Sequence, residues 1–173
     1  VWSMRTIVGA VASSKSSIDS VEFLKRVLTE IENEYDSHTR SSIVECGRAL
    51  LRACEEDSIV KEGEKLAMEY VVAGVLERYA STTFASSDAS YSDATGEGKA
   101  TPPGAKSALL LALRFAGSEN CFRFDSVAVR FACALNCARP ELDIRDAARS
   151  ALILRKEGEM DGYSTCLLYT SPS

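Results

Sequence analysis

Hydrophobic residues recur along this chain every three or four positions, the rhythm of a helix with one buried face. No segment alternates with the two-residue period of a strand. The pattern predicts seven helices. The first spans about Trp2 to Ala12, the second starts at Asp19 or Ser20, and the third starts near Ser37. The fourth runs from about Ser58 to Ala80 and the fifth from Lys106 to Ala116. The sixth runs from Asp125 or Ser126 to Ala138, and the seventh follows Pro140. Asp19 and Ser20 suit a helix start, because a short side-chain oxygen accepts from the free amides of the first turn. Glu22 then faces the positive end of the helix dipole. The expected inward stripes are Val21, Leu24, Val27, Leu28, Ile31 and Tyr35 in the second helix, and Ile43, Val44, Cys46, Leu50, Leu51 and Cys54 in the third. In the fourth they are Leu66, Tyr70, Val71, Val75 and Tyr79, and in the sixth Val127, Phe131, Ala134 and Leu135.

The pattern breaks once. Residues 81 to 106, STTFASSDASYSDATGEGKATPPGAK, are rich in Ser, Thr, Gly and Pro. Such a segment buries too little apolar surface to offset the cost of ordering it. A flexible insertion is expected over 81–105, inside one domain of residues 1–156, because helices resume at once.

The predicted helices also repeat one another. Counting from Arg145, small or apolar residues fall at Ala147, Ala148, Ala151 and Leu152, which lie on one helix face. The same offsets from Lys106 give Ala108, Leu109, Ala112 and Leu113. From Arg5 they give Ile7, Val8, Val11 and Ala12, and from Arg40, more weakly, Ser42, Ile43, Cys46 and Gly47. Once the insertion is set aside, a unit of about 35 to 40 residues recurs four times. That period predicts an all-α solenoid of antiparallel helix pairs, each pair hiding its apolar face against the next.

The stretch LDIRDAARSAL, Leu142 to Leu152, resembles the inner helix of HEAT (armadillo-like) repeats, which often opens with an Asp and carries an Arg in its first turn. DSHTR, Asp36 to Arg40, is a looser copy. The resemblance implies that Asp143 and Arg145 are parts of repeat architecture that bond between adjacent repeats. Leu113 to Leu152 further resembles a segment of the large proteasome-associated HEAT-repeat adaptor family, the extracellular-mutant family. The matching residues are Arg114, Phe115, Ala116, Arg130, Phe131, Leu142, Asp143, Ile144, Arg145 and Asp146. The chain departs from that family at Ala128-Val129, where a Pro-Ser is usual, and in CALNCA, which lacks the usual Gly. The resemblance implies a non-enzymatic scaffold that binds proteasome core and regulatory particles and stabilises or tethers them. It carries over no catalytic, cofactor or metal residue.

Composition narrows the field. The chain of 173 residues is 46% hydrophobic and 26% charged, with a net charge of −5. A broad nucleic-acid surface is not expected at that charge. The longest apolar run, Ala108 to Leu113, is far short of the roughly 18 residues that span a bilayer. Met4-Arg5 followed by TIVGAVASS has faint signal-peptide character, but its apolar core is short, so it is read as a helix whose beginning was cut off. CLLYTSPS, Cys166 to Ser173, closely resembles the translated end of a sequencing-library adapter, so residues 157–173 are expected to be an unstructured, partly artefactual tail of an internal fragment.

Candidate chemistry is sparse. The six cysteines form no Cys-x-x-Cys pair and mostly occupy apolar helical positions, as buried free thiols in a reducing compartment do. Cys133 and Cys137 share a helix face and could join Cys121 as metal ligands, but zinc usually takes four, so helix packing is the better reading. His38, the one histidine, lies at a helix start near Asp36, with no nucleophile in reach by sequence. Glu55-Glu56-Asp57 reads as a solvated helix end, and Gly96 to Gly98 as a loop tip without the spacing of a phosphate loop. The expectation is therefore a protein-binding scaffold in the cytoplasm, with the nucleus second, whose partners include neighbouring HEAT repeats. The alternatives are a transport receptor or phosphatase scaffold of the same architecture, and last the helical part of an enzyme.

Overall fold

The computed structural model describes residues 19–57, 62–84, 101–118, 121 and 126–157. These form α1 (Ser20–Asn33), α2 (Ser37–Asp57), α3 (Glu62–Arg78), α4 (Ala105–Ala116), α5 (Val127–Asn136) and α6 (Leu142–Glu157), with no strand among the described residues. The predicted helix over Trp2–Ala12, the loop tip Gly96–Gly98 and the adapter-like tail lie outside them.

Caps fix where the helices begin. The Asp19 carboxylate accepts from the Val21 and Glu22 amides, at 3.1 Å each. Asp36 does the same for α2, accepting from the Thr39 amide at 2.6 Å. That bond, with a smaller contribution from nearby His38, holds Asp36 below the ordinary carboxylate range. Ser126 caps α5 through the Val129 amide. Only three residues join α1 to α2, and five join α5 to α6, so both pairs run antiparallel.

The helices stack in two layers. α1, α3 and α5 follow one another in the first, and α2, α4 and α6 in the second. Each helix of one layer also packs on its chain neighbour in the other: α1 on α2, α3 on α4, α5 on α6. The fold is thus all-α, built of stacked antiparallel pairs. The repeat positions fall together in the second layer. Ile43 and Gly47, Leu109 and Leu113, and Ala148 and Ala151 are all buried. Gly47 allows close approach, since a Cβ there would stand 2.5 Å from a Leu111 methyl. α4 sits centrally and touches every other helix, and Leu109, Leu111, Leu113 and Phe115 are fully enclosed.

Several expectations are corrected. α1 stops at Asn33, leaving Tyr35 in the turn and exposed. In α3 the inward residues are Met68, Val72, Leu76 and the expected Val75, with the expected Tyr79 buried just past its end, while Leu66 and Tyr70 face out. Hydrophobic residues lie almost evenly around this helix, so periodicity could not select a face. α3 is described from Glu62 rather than Ser58, and ends at Arg78 rather than Ala80.

In α5 the expected stripe is turned outward: Val127, Phe131, Ala134 and Leu135 are exposed. Its buried face is Val129, Ala132, Cys133 and Asn136, and the helix ends at Asn136 instead of Ala138. Small side chains let α5 lie close on α3, and the Asn136 amide donates to the Leu76 carbonyl at 3.1 Å.

Most of the insertion expected over 81–105 lies outside the described residues, but its two ends do not. Residues 81–84 and 101–104 are described, α4 starts at Ala105, and Gly104 is buried. The Gly104 amide donates to the Glu32 carbonyl at 3.1 Å, and a Cβ there would overlap the Ile31 carbonyl. Glu157, the first residue of the expected tail, closes α6, and the rest of that tail lies outside the described residues.

Candidate functional site

The second layer presents a groove of about 490 Å³ that crosses α2, α4 and α6. Its ionic lining is Arg40, Arg48 and Arg114 against Glu45 and Asp143. Arg40 belongs to the DSHTR motif, and the helix start explains its pose. One turn past the Asp36 cap, its guanidinium folds back on the end of α1, donating to the Glu34 carbonyl at 3.0 and 2.7 Å and to the Tyr35 carbonyl at 3.1 Å. Carbonyls do not cancel its charge. Arg48 pairs with Glu45 one turn away. Arg114 is exposed at the groove wall. Asp143 is bound from α4, by Lys106 at 2.8 Å. The groove thus carries an excess of positive charge on a chain whose net charge is −5.

The motif residues separate. Asp143 is not the cap of its helix: it sits inside the first turn, where the one amide its carboxylate is shown to accept from is that of the next residue, Ile144, and the Arg145 amide bonds the Glu141 carbonyl instead. Its bond to Lys106 does join two helix pairs. Arg145 departs from expectation, since its Nε is buried without a hydrogen-bond partner. Ala148 and Ala151 are buried, but Leu152 is only half-buried. Of the other residues carrying the resemblance, Phe115, Ala116 and Ile144 are buried, Arg130 is half-buried, and Phe131, Leu142 and Asp146 are exposed.

A polar knot at the α5–α6 turn went unforeseen. Arg139, 5% exposed, donates to the carbonyls of Tyr79, Ala80 and Thr82. It also forks onto both Glu141 oxygens, at 3.1 Å each. The Phe84 amide donates to the same carboxylate at 3.1 Å, and the guanidinium lies 5.0 Å from the centre of the Phe84 ring. Burial works to raise the Glu141 pKa, but the bonds from Arg139 and Phe84 prevail and hold it at about 2. The knot fastens the end of α3 and residues 81–84 to the α5–α6 turn. Its one sequence signal was an Arg-Pro-Glu triplet after a helix, which also reads as an ordinary turn.

The chemical candidates form no cluster of metal ligands among the described residues. His38 is exposed at the start of α2. Cys54, Cys121 and Cys133 are buried thiols outside any disulfide, and Cys46 and Cys137 are half-buried ones. A hydrogen bond with Cys121, then burial, pushes the Cys54 thiol well up, which suppresses its reactivity. Burial likewise raises Cys46 and Cys137. Among the described residues no three His, Cys, Asp or Glu side chains gather as a metal site. No described helix is long and apolar enough to cross a membrane.

Comparison of the chain with protein-family models, with curated proteins and with solved structures finds no match.

Proposed function

We propose that this chain is a non-enzymatic protein-interaction scaffold whose second helix layer binds an acidic segment of a partner. One observation carries the reading: the groove crosses one helix from each of three stacked pairs, and arginines outnumber carboxylates in its lining. A surface of that kind recognises an extended chain by charge, and arginine suits carboxylates because its planar fork donates in pairs. Within this reading, the resemblance of Leu113–Leu152 favours a HEAT-type adaptor that stabilises or tethers proteasome particles, acting in the cytoplasm or nucleus.

Binding of the full chain to purified proteasome core and regulatory particles tests both levels. Arg114→Glu reverses an exposed charge and is expected to weaken binding at least tenfold, since like charge then meets the acidic partner. Unchanged binding by that variant would remove the groove from the reading. Absence of binding by the unaltered chain would remove the proteasome and leave the scaffold.

A further inference from the structure

The repeat register of the sequence continues into the groove of the second layer. Arg40 and Lys106 hold equivalent places, so equal offsets from them mark equivalent positions. At plus one stand Ser41 of α2 and Ser107 of α4, at plus four Val44 and Leu110, and at plus eight Arg48 and Arg114. All six line the groove. Two neighbouring helices thus present a serine, an apolar residue and an arginine in the same order. α6 breaks the pattern, with Asp146, Arg149 and Ile153 at those offsets, and lines the groove through Asp143 and Ala147 instead. The repeated surface therefore has two units, one on α2 and one on α4.

Spacing and charge tell what fits. Packed helices stand about 8–10 Å apart, and Gly47 keeps α2 close against Leu111 of α4. A strand brings side chains to one face every two residues, at about 6.6 Å and next at about 13 Å. Neither distance matches the helices. A polyproline II chain has three residues per turn and rises about 3.1 Å per residue, so its equivalent side chains recur on one face about 9.3 Å apart. Val44 and Leu110 are half-buried and offer each unit an apolar seat. Of the two arginines only Arg48 has a carboxylate one turn before it, since Glu45 stands where α4 has Leu111. That pair is exposed, 37% for Arg48 and 56% for Glu45, so an incoming carboxylate competes with Glu45 on near-equal terms.

We propose that the groove binds its acidic partner segment in polyproline II conformation, with an acidic residue followed by an apolar one at every third position. The carboxylates meet Arg48 and Arg114, and the apolar side chains rest on Val44 and Leu110. This deepens the reading of the groove as a site for an acidic segment and rests on it. The test is fluorescence anisotropy of two labelled twelve-residue peptides with the full chain. One repeats Glu-Leu-Pro four times. The other repeats Glu-Leu-Glu-Leu-Pro-Pro twice, so composition and charge are equal and only the period differs. The first is expected to bind about tenfold more tightly, the worth of one charge-assisted bond. Arg48→Glu and Arg114→Glu should each bring it down to the level of the second, because each removes one unit. Glu45→Gln should tighten it about two- to fivefold, since Arg48 then loses its competitor. Equal binding of the two peptides overturns the proposal, and if Arg114→Glu weakens both alike, the acidic groove itself stands. A preference that survives Arg48→Glu also overturns it, since the α2 unit is then idle. Binding of neither peptide removes the acidic groove together with the proposal.

Discussion

α4 and α5 are both almost wholly hydrophobic, yet they use that property in opposite ways. In α4 every large apolar side chain but Leu110 is enclosed, and among the apolar residues none is exposed. In α5 the large residues Val127, Phe131 and Leu135 face out, while the inward face is Val129, two small residues and an asparagine. The difference is position. α4 has neighbours on all sides, whereas α5 closes its layer among the described helices. A helix at the centre of a stack is held by apolar burial. One at the edge is held by close backbone approach and by polar anchors, here Asn136 and the Arg139–Glu141 knot.

The largest expected effect puts the two phenylalanines against each other. Phe115→Ala empties a fully enclosed volume in α4 and should cost about 3–5 kcal/mol. Phe131→Ala, on the open face of α5, should stay within about 0.5 kcal/mol. Urea denaturation of both variants measures the gap. Equal losses would mean that α5 is covered as α4 is, and the contrast would collapse.

The next effect tests whether the α5 end depends on charge. Glu141→Gln removes the carboxylate that Arg139 and Phe84 share, and should cost about 1.5–3 kcal/mol at neutral pH. The acid side gives a sign. Folding lowers the Glu141 pKa from 4.5 to about 2, so the folded state binds fewer protons. The stabilisation is complete above 4.5 and is lost as pH falls towards 2. Amide exchange should show the α5–α6 turn loosening in that window before α4 does, and Glu141→Gln should abolish the difference. Simultaneous loosening of both regions in the unaltered chain would count against a charge-held edge.

These contrasts mark how far the sequence is readable. The all-helical class, the Asp19 cap and the second-layer repeat face follow from local rules, because capping and a 3.6-residue period are written within a few residues. Which face of α3 or α5 turns inward is not local. α3 spreads its apolar and charged residues almost evenly around the helix, and α5 resolves its choice through small residues and a bond from Asn136 to a helix far away in sequence. The fastened ends of the insertion were hidden for the same reason: Arg139 reaches back to Thr82, and composition records nothing of that contact. Of the candidate groove, Arg40 and Asp143 were visible as motif residues, but neither their shared groove nor Arg48 was, since grooves arise only when helices from separate units align.

The smallest effect concerns the tie between the central and the last pair, Lys106 to Asp143. Both side chains are nearly half exposed, 44% and 47%, so water competes for each and the pair is worth about 0.2–1 kcal/mol. Asp143→Ala should cost that much at low salt, and the cost should fade near 1 M salt, where screening acts within about 3 Å. A helix cap would behave differently, because its bond to local amides depends less on screening and typically costs about 1 kcal/mol to lose. Salt dependence therefore distinguishes a bond across two helix pairs from a bond within one helix. A double-mutant cycle with Lys106→Ala should return nearly the whole of the Asp143 effect as coupling between the two residues. If the loss instead persists in high salt and is independent of Lys106, Asp143 supports its own helix, and the last pair leans on α4 by apolar contact alone.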